Sequence, residues 1–310
     1  MRIGFFGTPD LAARVLADLH GRHDIRFAVT GLDKQVGRRR GLQFCPAKNA
    51  ALRLGIPVLQ PSTLKDASFQ DEIRKHDAEI FVVVAFGSLI PRQVFDLPPL
   101  KTINLHPSLL PKYRGAAPIQ WSLLNGEKVT GITVQLINEK LDAGDIIVQE
   151  TVPIGPDTTA ADLYSIVSSR DAELLDRAMR LLASGSAKPV RQDDSQATYC
   201  GKINRDTARI DWTRSAAEIH NLVRGLNPKP GAFSAFRGEL IKIWKTVLMT
   251  EDVSTKAWPG SIVVYQKKRL LAAAGDGLVE IVSIQPANKK IMGGQSFING
   301  YRLAPNDRFE

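Results

Sequence analysis

Asn104 and His106 stand two residues apart in Thr102-Ile-Asn-Leu-His-Pro107, where Ile103 and Leu105 alternate with them. That period of two puts an amide and an imidazole on one face of a strand. Pro107 has no N–H to give to a ladder, so the strand stops there, and Ser108 to Pro118 follows as a proline-bounded loop. A third group, Asp142, enters in Leu141-Asp-Ala-Gly-Asp145 after another apolar stretch. A carboxylate beside an imidazole favours the charged ring and fixes its orientation. An imidazolium and an amide N–H aimed at one point suit an oxyanion. The plainer reading of His106 is a packed structural histidine, and Asn104 and the Asp-Ala-Gly-Asp loop weigh against it. No Ser or Cys with an activating neighbour is evident, although Ser108 is close in sequence. The set fits attack of an external nucleophile on a carbonyl, with the protein supplying electrostatics and proton transfer.

Such a strand end needs a scaffold. Arg2-Ile-Gly-Phe-Phe-Gly7 is a buried-strand pattern closed by a glycine turn. Thr8, Pro9 and Asp10 read as a helix start, with Thr8 as the cap. Ile25 to Thr30 then completes a βαβ unit. Glu79 to Phe86 is a continuous apolar run, the pattern of a central parallel strand covered on both faces. It ends in Gly87-Ser-Leu-Ile-Pro91, at the same carboxyl edge as His106, where open α/β sheets hold ligands. Further strands are expected at 56–59, 131–137 and 146–152, and one long helix over 158–182. Ala183 to Thr198 has almost no large apolar residue and reads as a linker. Beyond it, a helix at 215–226 capped by Ser215 precedes short strands separated by Gly and Pro turns. The expected fold is therefore α/β: a Rossmann-like open, mostly parallel sheet domain over 1–183 and a linker over 184–204. A smaller OB-like β-barrel domain over 205–310 follows.

Composition limits the partners. The 310 residues are 44% hydrophobic and 24% charged, as in folded soluble proteins. No run approaches the roughly 18 apolar residues of a membrane span, and no leader is expected ahead of the first strand. Cys45 and Cys200 match no zinc or CxxC spacing, and a lone His106 makes no metal site, so no metal is expected. These features point to the cytoplasm. Signatures for P-loops, nucleophile elbows, zinc proteases and EF-hands are absent, and Gly4 and Gly7 do not complete a dinucleotide fingerprint. The formal charge of +9 is uneven: residues 1–200 carry 24 Lys+Arg against 22 Asp+Glu, and residues 201–310 carry 17 against 10. A basic second half serves solubility, or it meets a polyanion such as nucleic acid. Lys34, Arg38, Arg39 and Arg40, between Thr30 and Pro46, form either a solvated surface or an arm that grips phosphates.

The stretch Asn104-Leu-His-Pro-Ser-Leu-Leu-Pro-Lys-Tyr-Arg-Gly-Ala-Ala-Pro-Ile-Gln-Trp121 resembles the signature of the 10-formyltetrahydrofolate-dependent formyltransferases. Its Ala-Ala-Pro-Ile-Gln-Trp continuation is similar to the methionyl-tRNA formyltransferases in particular. Phe6-Gly-Thr-Pro-Asp10, Leu141 to Asp145, Ala208-Arg-Ile-Asp-Trp212 and Arg224-Gly-Leu-Asn-Pro228 extend the resemblance over nearly the whole chain. The resemblance implies formyl transfer from 10-formyltetrahydrofolate to the amino group of initiator Met-tRNA. Asn104, His106 and Asp142 would then be catalytic. Phe86, Gly87, Leu89, Ser108, Leu109, Leu110, Pro111, Ile137 and Asn138 would hold the formyl-folate. Arg38, Arg39, Arg40 and Lys202 would contact tRNA. A monomer with no membrane partner is expected. The alternative that it leaves open is a sugar-nucleotide formyltransferase acting on a UDP-amino-sugar. The chain departs from the family pattern at Gly37-Arg-Arg-Arg-Gly-Leu42, at Phe86 where tyrosine is frequent, and at Asn138 and Lys140.

Overall fold

The computed structural model describes residues 1–36, 41–249 and 257–310. Arg38, Arg39 and Arg40 lie outside the described residues. The chain divides into two compact units. The first comprises Met1–Pro118, Val129–Pro153 and Ser165–Cys200; the second comprises Ile119–Lys128, Ile154–Tyr164 and Gly201–Glu310.

From the first residue to residue 200 the elements begin with β1 (Arg2–Gly7), α1 (Asp10–His20) and β2 (Asp24–Val29). A hairpin of β3 (Lys34–Val36) and β4 (Gly41–Gln43) precedes α2 (Pro46–Arg53) and β5 (Val58–Leu59). Then come α3 (Ala67–Arg74), β6 (Ile80–Val84), α4 (Arg92–Phe95), β7 (Thr102–His106), β8 (Arg114–Gly115) and α5 (Pro118–Leu124). β9 (Val129–Leu136), β10 (Ile146–Pro153), α6 (Ala160–Ser168), α7 (Asp171–Ala183) and β11 (Tyr199–Cys200) follow. Seven of these strands form one sheet in the order β10-β9-β7-β6-β1-β2-β5. The pairs from β5 to β7 are parallel, and β9 runs antiparallel to both β7 and β10. Every residue of β6 is buried, as its unbroken apolar run requires. Phe6, Phe27 and Phe81 pack together beneath the carboxyl edge, Phe27 meeting the other two edge to face, and Phe86 and Ile137 rest on the same cluster.

Three local expectations are corrected. Pro9, not Thr8, is the N-cap of α1. The Thr8 hydroxyl instead donates to the Phe86 carbonyl and accepts from the Gly31 N–H, both at 3.3 Å, tying the loops after β1, β2 and β6 together. The expected long helix is two, because the Ser169 hydroxyl donates to the Ile166 carbonyl and closes α6 before α7 starts. Residues 190–200, inside the stretch 184–204 expected to connect domains, form a strap across the first unit. Val190 pairs with Ile146, and β11 pairs in parallel with β8.

In the second unit, α8 (Ala216–Gly225) opens with the expected cap: the Ser215 hydroxyl accepts from the Glu218 N–H, and the Glu218 carboxylate accepts from the Ser215 N–H. β12 (Ala232–Phe236), β13 (Glu239–Leu248), β14 (Ile262–Tyr265), β15 (Arg269–Ala273), β16 (Leu278–Pro286), β17 (Met292–Gly293) and α9 (Gly294–Tyr301) complete the chain. The strands form an antiparallel sheet ordered β12-β13-β16-β15-β14, with β17 beside β16. Residues 307–310 bridge its two outer strands. Ala235 and Glu310 exchange backbone hydrogen bonds next to β12, while Phe309 donates to Gly260 and Ile262 donates to Asp307 beside β14. The curled sheet closes on a core where Trp212 stacks on Phe309 at 5.4 Å and Phe297 fills the centre.

Candidate active site

β7 lies between β6 and β9, and its pairing with β9 sets Asn104 opposite Gln135 and His106 opposite Thr133. Four polar side chains therefore cluster at one end of β7 and β9. His106 is 4% exposed. Its Nε2 lies 2.9 Å from the Tyr113 carbonyl oxygen, which can only accept, so Nε2 carries the proton. Nδ1 then faces Asp142, 3.6 Å from Oδ2. A proton arriving at Nδ1 would point at the carboxylate.

The Asp142 carboxylate is met by donors from three directions. Oδ1 accepts from Asn104 Nδ2 at 3.3 Å and Gln135 Nε2 at 3.4 Å, and Oδ2 accepts from the Gly115 N–H at 2.9 Å. Asn104 keeps a second N–H, which no hydrogen bond to Asp142 uses. Asp142 has φ +49° and Tyr113 φ +61°, left-handed conformations that cost L residues energy and persist where surrounding contacts impose them. Both are imposed at the group that touches His106. Gly144 is the only residue the turn admits, since a Cβ there would overlap the Leu136 carbonyl oxygen.

Sequence reasoning brought out Asn104, His106 and Asp142 but not the residues around them. Gln135 carried a signal, because Thr133 and Gln135 alternate with apolar residues along β9. Gln192 and Arg114 carried none, one sitting in a polar stretch and the other in a loop. Both are buried, at 6% and 2% exposed. Ser108 is fully buried; its hydroxyl donates to the Lys112 carbonyl at 2.7 Å, so it braces the loop and is no nucleophile. The Thr133 hydroxyl donates to the Ser108 carbonyl at 2.6 Å and accepts from Gln149 Nε2 at 2.9 Å and the Leu110 N–H at 3.3 Å. Cys200 is buried, which pushes its thiol pKa up and makes it a poor nucleophile.

Of the residues expected to hold the formyl-folate, Phe86, Gly87 and Leu89 follow β6, and Leu109 to Pro111 follow β7. Ile137 and Asn138 follow β9, with Asn138 Nδ2 donating to the Ala143 carbonyl and Oδ1 accepting from the Lys140 N–H. Phe86 and Ile137 are half-buried, while Leu89 is 71% exposed. Lys202 is exposed in the second unit. Among the described residues, no group of three or more His, Cys, Asp or Glu could hold a metal ion, and no helix is long and apolar enough to cross a membrane.

An amide, an imidazole and a carboxylate at the carboxyl edge of the sheet, with the Ser108 hydroxyl occupied and Cys200 buried, suit transfer of an acyl-type group. Residues 1–179 match the formyl transferase family, residues 202–302 match the formyl transferase C-terminal domain, and the chain belongs to this family of enzymes. It is 39% identical over 307 residues to a methionyl-tRNA formyltransferase of Lachnospira eligens, covering 98% of each chain. In fold it is similar to a sugar 3N-formyl transferase determined with dTDP and 5-N-formyl-THF (TM-score 0.68, 22% identity, 94% of this chain and 99% of that one). It is also similar to HypX of Aquifex aeolicus in complex with tetrahydrofolic acid (TM-score 0.63, 19% identity), where 97% of this chain spans 47% of that one.

Proposed function

We propose that the protein transfers the formyl group of 10-formyltetrahydrofolate to the amino group of methionyl initiator tRNA. The observation that carries this reading is the convergence of Asn104, His106 and Asp142 in a chain similar end to end to methionyl-tRNA formyltransferases. The amine nitrogen attacks the formyl carbon, a C–N bond forms, and the carbonyl oxygen takes up negative charge. The free N–H of Asn104 donates to that oxyanion, and protonated His106, whose two N–H groups face the Tyr113 carbonyl and Asp142, stabilises it through its charge. Asp142 holds the ring in place and balances its charge. Collapse breaks the bond to N10 of the folate, which leaves with the proton lost by the amine, and tetrahydrofolate is the second product. No covalent enzyme intermediate is required, in keeping with the occupied Ser108 hydroxyl and the buried Cys200 thiol.

The formyl-folate lies along the carboxyl edge, against Phe86, Gly87, Leu89, Leu109, Leu110, Pro111, Ile137 and Asn138, with Ser108 bracing the loop. Arg38, Arg39 and Arg40 reach the acceptor end of the tRNA, and Lys202 with the basic residues of 205–310 holds its body. The enzyme acts as a cytoplasmic monomer. The test is transfer of labelled formyl from 10-formyltetrahydrofolate to charged initiator tRNA, with elongator Met-tRNA and a UDP-amino-sugar as competing acceptors. Preference for the sugar nucleotide would overturn the tRNA reading. Replacing Arg38, Arg39 and Arg40 with alanine is expected to weaken tRNA use and to lower its salt dependence by up to about three phosphate contacts. A change confined to folate affinity would refute the role of the arm.

A further inference from the structure

The strap at 190–200 delivers one side chain into the catalytic loop. At one end, Val190 and Ile146 exchange backbone hydrogen bonds of 2.8 Å. At the other, the Arg114 N–H donates to the Thr198 carbonyl, the Tyr113 N–H to the Thr198 hydroxyl, and the Ala116 N–H to the Cys200 carbonyl. Between these ties Gln192 turns inward. Its Oε1 accepts a fork from Arg114, Nε at 3.1 Å and Nη2 at 2.8 Å. Its Nε2 faces three acceptors: the Gly144 carbonyl at 2.7 Å, the Asp142 carbonyl at 3.0 Å and Gln135 Oε1 at 3.0 Å. Gln135 Oε1 also accepts from the Gly144 N–H at 3.1 Å. Arg114 is anchored in turn by Asp194 Oδ1 at 2.7 Å and by the Tyr199 hydroxyl at 3.3 Å, and its guanidinium holds the Asp194 carboxyl below its ordinary pKa.

We infer that Gln192, clamped by Arg114, is a positioning residue for Asp142: its amide fixes the carbonyls on either side of Ala143 and so sets the carboxylate against His106. This inference rests on the formyl-transfer reading for its kinetic consequence. Three acceptors converge on the Gln192 amide nitrogen. Asp142 sits at φ +49°, a conformation its own backbone does not favour, the Gly144 N–H is already given to Gln135 Oε1, and the Asp142 and Gly144 carbonyls both face Gln192 Nε2. With an amide whose oxygen is oriented by the Arg114 fork, the N–H face is forced onto the loop. Gln192 contacts neither Asn104 nor His106 in any hydrogen bond, so its effect passes through Asp142.

The discriminating substitution is Gln192→Glu. It keeps the size and can keep the Arg114 pairing, but it presents a carboxylate oxygen to three acceptors. The expected result is a kcat lower by roughly 30- to 100-fold, the scale of a displacement near 1 Å. KM for 10-formyltetrahydrofolate and Met-tRNA should stay within about threefold. Adding Gln192→Glu to Asp142→Asn should cost less than about threefold more, because both act through one carboxylate. Gln192→Asn, which withdraws the donor by one methylene, gives the same reading in a gentler form if Gln192→Glu does not fold. Amide hydrogen exchange at Ala143 and Gly144 is expected to quicken at least about tenfold in either variant, whatever the acceptor substrate. Unchanged exchange, wild-type kcat, or losses that multiply fully with Asp142→Asn would overturn the positioning role. A wild-type protein with no formyl transfer to Met-tRNA would overturn the functional reading instead, and the exchange experiment would still decide the clamp.

Discussion

Two aspartates of the first unit are withdrawn from water in opposite ways. Asp142 sits among Asn104, Gln135, the Gly115 N–H and His106, every one of which can face it with a hydrogen. Asp171, at the start of α7, is fully buried, and neither carboxylate oxygen has a hydrogen-bond partner. Burial, with Asp18 adding, pushes its pKa up to about 8. Burial without a donor, beside Asp18, thus turns a carboxyl group into an uncharged packing element. Converging donors are what keep one usable for chemistry.

The largest effect should come from removing the well-partnered carboxylate. Asp142→Asn is expected to lower kcat about 10³-fold with little change in tRNA affinity. An equal loss in binding, measured by filter retention of Met-tRNA, would place Asp142 in recognition rather than catalysis. The opposite sign is expected at the partnerless site. An unfolded aspartate titrates near about 4, whereas folded Asp171 does so at about 8. Between these values the native state binds the extra proton, so folding stability falls as pH rises from about 4 through about 8. Asp171→Asn should therefore stabilise the protein by roughly 3 kcal/mol at pH 8 and by little near pH 4. That figure is held below the full linkage value because the buried asparagine amide would itself lack partners. Urea unfolding at the two pH values reads it, and a variant less stable than the parent at pH 8 would mean that the carboxylate has a partner in solution. The smallest effect belongs to the loop brace: Thr133→Val leaves the Ser108 carbonyl and Gln149 amide short of a partner, at about 1–2 kcal/mol. It should raise KM for 10-formyltetrahydrofolate more than it lowers kcat.

The sheet and the polar cluster at its edge were legible because both rest on period. Alternation in 102–106 placed Asn104 and His106 on one face, and the unbroken run to Phe86 marked the central strand. Asp142 was legible from the loop it sits in, and the alternation of Thr133 and Gln135 along β9 was there to be read, though not its register with β7. What escaped depends on contacts between residues distant in sequence. Thr8 looked like a cap, yet its hydroxyl found Phe86 and Gly31. The break at Ser169 turns on one side chain that bonds backwards. Gln192 lies in a run of polar residues whose composition says linker, and only tertiary pairing to Ile146 and Arg114 turns it inward. A single buried glutamine has no periodicity to announce it.

The tail at 307–310 has a bearing on handling as well as shape. An antiparallel sheet with open outer strands offers unpaired N–H and C=O groups to any neighbouring chain. Here Glu310 satisfies Ala235 on one side, while Asp307 and Phe309 satisfy Ile262 and Gly260 on the other. The same segment also supplies Phe309 to the stack with Trp212. Displacing these residues would expose two templates for strand addition at once. The first symptom would be concentration-dependent association during refolding, ahead of any loss of formyl transfer.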